Sequence, residues 1–252
     1  MLKVLSLFAG IGGFDLGLER TGGFRTVASC EINPFARSIL AKHWPGVPIY
    51  DDVRSLTAER LAADGITVDA ICGGFPCQDV SLTGSGEGLN GERSGLCFEM
   101  LRIIDGVRPA WVIIENVSAL RARGLEAVLR GLAAIGYDAE WHCLSARSVG
   151  AKHTRDRVFV ISYPNGRGWR IQGNEPGAAI HAGTRQSFGH GEDRLVARWP
   201  VPEDWQAEPD VGRVVDGISD AMDRRKRLIG LGNSILPLIA ENIGRAILAR
   251  AA

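Results

Sequence analysis

The tetrapeptide Phe75-Pro76-Cys77-Gln78 follows the apolar run Val68-Asp69-Ala70-Ile71-Cys72-Gly73-Gly74, and Ile113-Ile114-Glu115-Asn116-Val117 lies further along the chain. A thiol and a carboxylate, each just past a strand-like run, are the two groups that covalent attack on a pyrimidine ring requires. The thiolate adds to ring carbon 6, and the acid protonates or hydrogen-bonds ring nitrogen 3 to draw off electrons. Carbon 5 then becomes a carbanion that can accept an electrophilic methyl group. Each half alone has a plainer reading. A Cys after Pro is commonly a small buried hydrophobe, and Glu115 alone reads as a strand-terminal surface carboxylate.

Positioning such a pair requires a scaffold, and the apolar pattern supplies one. Residues 3–8 read as a buried strand, followed by a Gly turn and an amphipathic helix over Gly13–Arg20. Residues 24–31 form a second strand, and Pro34–His43 a helix with Pro at its start. A short strand is expected at 47–50, a helix at 56–63, a strand at 67–72, a helix at 95–106 and a strand at 110–115. Residues 118–135 read as one long helix closed by Gly136, and two strands follow at 137–145 and 157–162. Strands alternating with helices imply crossover connections, hence an α/β fold with a largely parallel sheet and helices on both faces. Ligands bind such sheets beyond the carboxyl ends of the strands. Gly10 to Gly13, Glu31, Asp52, Cys77 and Glu115 all fall at those ends.

After Ser162 the pattern changes. Residues 163–212 hold eight glycines and scattered aromatics without a sustained period, which reads as a small irregular lobe. Order returns at 223–228 and at 235–250, a final helix with Pro237 in its first turn. Three segments are therefore expected: 1–162, 163–212 and 213–252.

The composition is globular, with 45% hydrophobic residues. No stretch approaches the roughly 20 apolar residues needed to cross a bilayer, and the N-terminus lacks a signal-peptide cleavage pattern. The five cysteines are odd in number and widely spaced, which argues against a disulfide framework or a zinc site and for a reducing, cytoplasmic setting. The formal net charge is zero, but it is unevenly spread. Residues 144–198 carry nine basic and four acidic groups, so a polyanion would lie against that stretch and the Arg224-Arg225-Lys226-Arg227 run. Solvated charged faces account for the same asymmetry.

The first strand leads into Phe8-Ala9-Gly10-Ile11-Gly12-Gly13-Phe14, where glycines let a backbone approach a ligand and present a helix N-terminus. Glu31 sits where an acid takes ribose hydroxyls. Asp52 is placed to accept from an adenine amino group, or to cap the helix expected from Leu56. A nicotinamide cofactor would satisfy these features too, but leaves Cys77 and Glu115 without a role.

Together these residues resemble the cytosine-C5 methyltransferase family, from Leu5 to about Ile247 with a gap through the irregular lobe. The resemblance implies a Rossmann-like sheet that binds S-adenosylmethionine, and a small target-recognition lobe. The cofactor loop would use Phe8, Gly10, Ile11, Gly12 and Gly13. Glu31 and Ile32 would meet the ribose and its surroundings, and Asp52 and Val53 the adenine. Pro76 and Leu96 would add contacts, as would Asn233 and Ser234 of the Gly232-Asn233-Ser234 element. Cys77 becomes the nucleophile and Glu115 the acid, while in Arg155-Asp156-Arg157 Arg157 would orient the base or Glu115 and Arg155 would help anchor it. Two departures stand out. His153 occupies a position where the family often has Gln, and the usual motif between the lobe and Gly232 is hard to find.

What the resemblance implies for function is methyl transfer to carbon 5 of a cytosine flipped out of duplex DNA. The sulfonium methyl is the electrophile, so no metal is needed. Loss of the carbon 5 proton then expels Cys77 and restores the ring. Gln78, Ser81 and Arg93 would contact DNA from the Gly-rich stretch after the nucleophile, which is a candidate for closing over it. Arg167, Arg170 and Arg185, with Gln172, Asn174 and Gln186, would read base edges or phosphates. Double-stranded DNA is the expected partner, with no membrane and a monomeric enzyme in a bacterial cell or phage-infected host. A cognate restriction endonuclease stays open. Rival readings are an RNA (tRNA) cytosine-C5 methyltransferase and a catalytically silent nucleic-acid-binding protein.

Overall fold

The computed structural model describes residues 1–76, 95–151, 155–166 and 234–251. Their elements are β1 (Leu2–Leu7), α1 (Gly13–Arg20), β2 (Phe24–Cys30), α2 (Pro34–His43), β3 (Ile49–Tyr50), α3 (Ala58–Ala63), β4 (Ala70–Gly73), α4 (Leu96–Val107), β5 (Trp111–Val117), α5 (Leu120–Arg123), α6 (Leu125–Ala134), β6 (Tyr137–Ser145), β7 (Asp156–Pro164) and α7 (Pro237–Ala251). The strands form one seven-stranded sheet in the order β3-β2-β1-β4-β5-β7-β6. Pairing is parallel from β3 through β5, and β7 runs antiparallel to both β5 and β6. This is a Rossmann-like sheet with one strand reversed. Parallel neighbours need a crossover of a dozen or more residues. Between β6 and β7 the chain passes through a 3-10 turn, Ala146–Val149, capped by Gly150 at φ 85°, and no crossover helix lies among the described residues there.

Three boundaries differ from the sequence pattern for local reasons. The helix expected over 118–135 is interrupted at Gly124, whose φ of −177° and ψ of 0° end α5 before α6 begins. Helix α3 starts at Ala58 with Thr57 as its N-cap, so Asp52 does not cap it. Strand β5 continues to Val117 because β7 pairs with it residue by residue, Glu115 with Phe159 and Val117 with Arg157. Glu115 therefore lies within a strand rather than beyond its end.

Both faces of the sheet are covered, which explains why its strands read as continuous apolar runs. Leu5, Leu7, Ile71, Val112 and Ile114 pack with α4 and α6 on one face. Val4, Cys72, Trp111 and Ile113 pack with α1 and α7 on the other. Helix α7 approaches α1 closely because glycines leave room. A Cβ at Gly17 would stand 2.2 Å from the Pro237 carbonyl oxygen, and one at Gly13 would stand 2.5 Å from Ser234 Oγ. The C-terminal segment thus returns to the turn between β1 and α1. The expected lobe over 163–212 and its boundary with 213–252 lie outside the described residues, apart from the end of β7 and its turn. The expected order at 223–228 lies outside them too.

Beneath α1, Asp15 is fully buried and accepts from Ser6 Oγ and Thr26 Oγ1, each at 2.9 Å. Burial outweighs these hydrogen bonds and raises its pKa to about 6. A raised folded-state pKa favours the protonated form. Its stabilisation is therefore full below the unfolded value of 3.8 and lost as pH rises through about 6. Asp15→Asn does not ionise. Its stability relative to wild type should improve by about 2 kcal/mol between pH 4 and pH 7.5. Denaturant unfolding of both proteins across that range tests it, and a constant difference would refute it.

Candidate active site at the carboxyl edge of the sheet

The turn after β1 is built by unusual backbone. Phe8 takes φ 53°, Gly10 φ 56° and Gly12 φ 86°. A positive φ on a bulky residue such as Phe8 is uncommon and is retained only where surroundings enforce it. Nothing lies within 4 Å of a Cβ built on Gly10, so that glycine leaves open space; at Gly12 a Cβ would strike the Trp44 ring at 2.4 Å. Gly12 and Gly13 are buried, Ile11 is half-buried, and no side chain caps the N-terminus of α1. Its first N–H groups therefore carry positive partial charge towards the sheet edge.

Glu31 follows β2 and is fastened from both sides. Gly10 N–H donates to its Oε2 at 2.7 Å, and Asn33 N–H donates to its Oε1 at 2.8 Å. Each carboxylate oxygen retains acceptor capacity for a further donor. The neighbouring Ile32 is 63% exposed, unusual for a large aliphatic side chain beside a polar turn. Asp52 lies after β3, half-exposed, in a 2.9 Å ion pair with the exposed Arg54. That partner, together with the Arg54 backbone N–H, holds its pKa below the usual carboxylate range. Val53 beside it is buried.

Glu115 stands two strands from β1, and its environment is quite different. Its side chain is 13% exposed and its Oε1 accepts from Arg157 Nε at 2.8 Å. Burial raises its pKa, against the lowering influence of Arg157, Arg155 and the Arg157 hydrogen bond. Arg155 is half-buried near the same pair, and burial together with Arg157 lowers its own pKa. The other oxygen, Oε2, lies beside Gly74, where an added Cβ would stand only 2.7 Å from it. One residue later the backbone is tied to the same strand. Asn116 Nδ2 donates to the Phe75 carbonyl at 2.9 Å, while Asn116 Oδ1 accepts from Val117 N–H.

Sheet order thus brings the Gly-rich turn, Glu31, Gly74 to Pro76 and Glu115 with Arg157 to one edge. Pro76 is exposed there and Leu96 opens α4 half-buried. Ser234 reaches Gly13 from the far end of the chain. Cys77, Gln78, Ser81, Arg93, His153, Arg167, Arg170, Gln172, Asn174, Arg185, Gln186 and Asn233 lie outside the described residues. Three of the other cysteines are poor nucleophiles. Cys30, Cys72 and Cys97 are buried, and desolvation pushes the Cys30 and Cys97 thiols up to about 12 and Cys72 well above its ordinary value. Asn116 is a residue of this edge to which the sequence pattern alone assigns no role. A polar amide ending an otherwise apolar strand is the signal that marks it.

The chain matches the family model of C-5 cytosine-specific DNA methylase over residues 2–198. It is 36% identical over 169 residues to the type II methyltransferase M2.BsuMI of Bacillus subtilis, covering 64% of this chain and 42% of that protein. It is 30% identical over 191 residues to the type II methyltransferase M.AquIA of a Picosynechococcus strain, covering 69% and 76%. A solved structure of a prophage-encoded putative DNA modification methyltransferase from E. coli superposes with a TM-score of 0.53 at 27% identity, covering 65% and 47% of the two chains. The S. pombe Dnmt2 methyltransferase superposes with a TM-score of 0.56 at 25% identity, covering 68% and 54%. This chain spans about half the length of the first relatives it matches, 42% of one and 53% of the next.

Proposed function

The chain belongs to the C-5 cytosine-specific DNA methylase family, and from that premise we propose that it methylates carbon 5 of a cytosine in double-stranded DNA. The observation that carries the reading is the setting of Glu115. One oxygen is held by Arg157, and the other faces Gly74, three residues before Cys77. A carboxyl group whose pKa is raised by burial, yet oriented by a guanidinium, is suited to deliver a proton or a hydrogen bond to ring nitrogen 3. Gly74 leaves that oxygen unobstructed. Asn116 fixes the strand exit that leads to Cys77.

The opposite side of the edge fits an adenosyl group. Gly10 leaves open space at the end of β1, and Glu31 has acceptor capacity for ribose hydroxyls. Exposed Ile32 offers an apolar surface and Asp52 an acceptor for an adenine amino group, shared with Arg54. Phe8, Ile11, Gly12, Gly13, Val53, Pro76, Leu96, Asn233 and Ser234 complete the proposed contacts. When bound, S-adenosylmethionine supplies the methyl group as a sulfonium electrophile. The work of this chain is to add the Cys77 thiolate to carbon 6, to stabilise charge at nitrogen 3 through Glu115, and to release Cys77 as the carbon 5 proton leaves. A stacked cytosine hides both carbons, so base flipping belongs to the same proposal. Gln78, Ser81, Arg93, Arg167, Arg170 and Arg185 are assigned to DNA contacts.

Transfer of labelled methyl from S-adenosylmethionine, to cytosine-containing duplex DNA and separately to tRNA, tests the reading, with Cys77→Ala run beside wild type. Label in DNA that requires Cys77 is expected. Label confined to tRNA would move the chain to an RNA substrate, and none in either would point to a binding role.

A further inference from the structure

The segment that presents Asp52 has little regular structure to hold it. Strand β3 contributes only Ile49 and Tyr50 before the chain leaves the sheet, and α3 does not begin until Ala58. Between them is a turn whose local bonds centre on Asp52: Arg54 N–H to its Oδ1 at 2.9 Å, and Ser55 Oγ and N–H to its carbonyl at 3.0 and 3.2 Å, while Leu56 N–H reaches the Val53 carbonyl at 3.3 Å. The two carbonyls on the far side of the turn are held by a distant residue. Arg102 of α4 directs Nη2 at two backbone carbonyls of this turn, Val53 at 3.0 Å and Leu56 at 2.9 Å. Its Nε donates to Glu99 Oε2 at 2.8 Å, which sets the plane of the guanidinium. Val53 and Leu56 are themselves buried in the same core cluster as Met100 and Ile103 of that helix.

We propose that Arg102, oriented by Glu99, is a positioning residue that fixes the Asp52-Val53 turn in the conformation that recognises adenine. The proposal rests on the reading that this turn faces the adenine of the cofactor. Helix α4 opens at Leu96, a proposed cofactor contact, so one rigid element carries both a contact and the clamp for its neighbour. The requirement is geometric. One planar fork must satisfy two carbonyls and one carboxylate at once, which a lysine ammonium on a flexible stem does not reproduce. Arg54, which pairs with Asp52 from the solvent side, cannot substitute, because it touches the carboxylate and not the turn's carbonyls.

Calorimetric titration of the whole protein with S-adenosylhomocysteine and with S-inosylhomocysteine provides the test. The second compound carries a carbonyl in place of the adenine amino group that Asp52 would recognise. Wild type should prefer the adenosyl compound. Arg102→Met should weaken adenosyl binding about tenfold and inosyl binding by no more than about threefold, so that the preference collapses. Glu99→Gln leaves both carbonyl bonds in place and should shift the preference the same way by about threefold. If Arg102→Met does not fold, Glu99→Gln decides the matter. Parallel weakening of both ligands, or an unchanged preference, overturns the proposal while leaving the functional reading intact. Wild type that binds neither compound overturns that reading and this proposal with it.

Discussion

Glu115→Gln is expected to lower the rate of methyl transfer about a thousandfold, within the range that a positioned acid contributes. The substitution preserves shape and one contact, since a Gln oxygen can accept from Arg157 as Oε1 now does. Its amide can also donate to ring nitrogen 3, but it cannot transfer a proton. A loss near this size would assign proton delivery to Glu115, whereas a loss under about tenfold would leave hydrogen bonding as its whole contribution. The pH dependence separates the two further. Burial raises the Glu115 pKa, and Arg157 is the largest opposing influence. Activity that needs the protonated acid should fall as pH rises through that raised value. Arg157→Met should move this alkaline limb to higher pH, because the guanidinium that favours the carboxylate is gone. Glu115→Gln should abolish the limb. Stability follows the same sign, since the buried carboxyl contributes most at low pH and loses that contribution as it ionises. Rate profiles of the three proteins against pH are the measurement. A limb that survives Glu115→Gln would assign it to another group.

Much of this arrangement is legible in the chain itself, and the parts that are not share a cause. Pro34 marks the first residue of α2, and Asn33 before it caps the helix by accepting from Phe35 and Ala36 N–H. Such signals are local, as is the apolar run that makes β4. Strand direction is not local. The run that became β7 is equally apolar in either orientation, and only the shortness of its connection to β6 reveals the reversal. Long-range pairing likewise extends β5 past Glu115. The Glu115–Arg157 pair follows from β5 and β7 lying side by side, a fact of sheet order. The Arg102 clamp spans 49 residues to Val53 and 46 to Leu56, with no periodicity to announce it. Asp52 illustrates the converse. Its type and place suggest a ligand contact or a cap, but the ion pair with Arg54 emerges only when the turn is folded.

Asn116→Leu removes two hydrogen bonds, one to the Phe75 carbonyl and one from Val117 N–H, and should act on both folding and chemistry. The replacement has similar volume, and the site is buried, with Asn116 and Phe75 each 3% exposed. The Phe75 carbonyl would then have lost its donor away from water, at a cost of about 1–3 kcal/mol. The consequence for catalysis comes from position. Phe75 is two residues before Cys77, and Asn116 follows Glu115, so one amide links the approach to the nucleophile with the strand that carries the acid. Its orientation is set by Val117 N–H, which donates to Oδ1 and leaves Nδ2 directed at Phe75. Misplacement of a reacting group by about an ångström costs on the order of a hundredfold in rate. Asn116→Leu should therefore lower kcat about a hundredfold while the KM for S-adenosylmethionine stays within about twofold. Of the proposed cofactor contacts, those on β1, β2 and the turn after β3 do not pass through this bond, and only Pro76 adjoins it. Steady-state kinetics at a temperature well below the variant's unfolding midpoint separate the effects. A destabilised protein with wild-type kcat would make Asn116 a structural residue only. A fall in kcat with an undisturbed KM would place it in the alignment of Cys77 and Glu115.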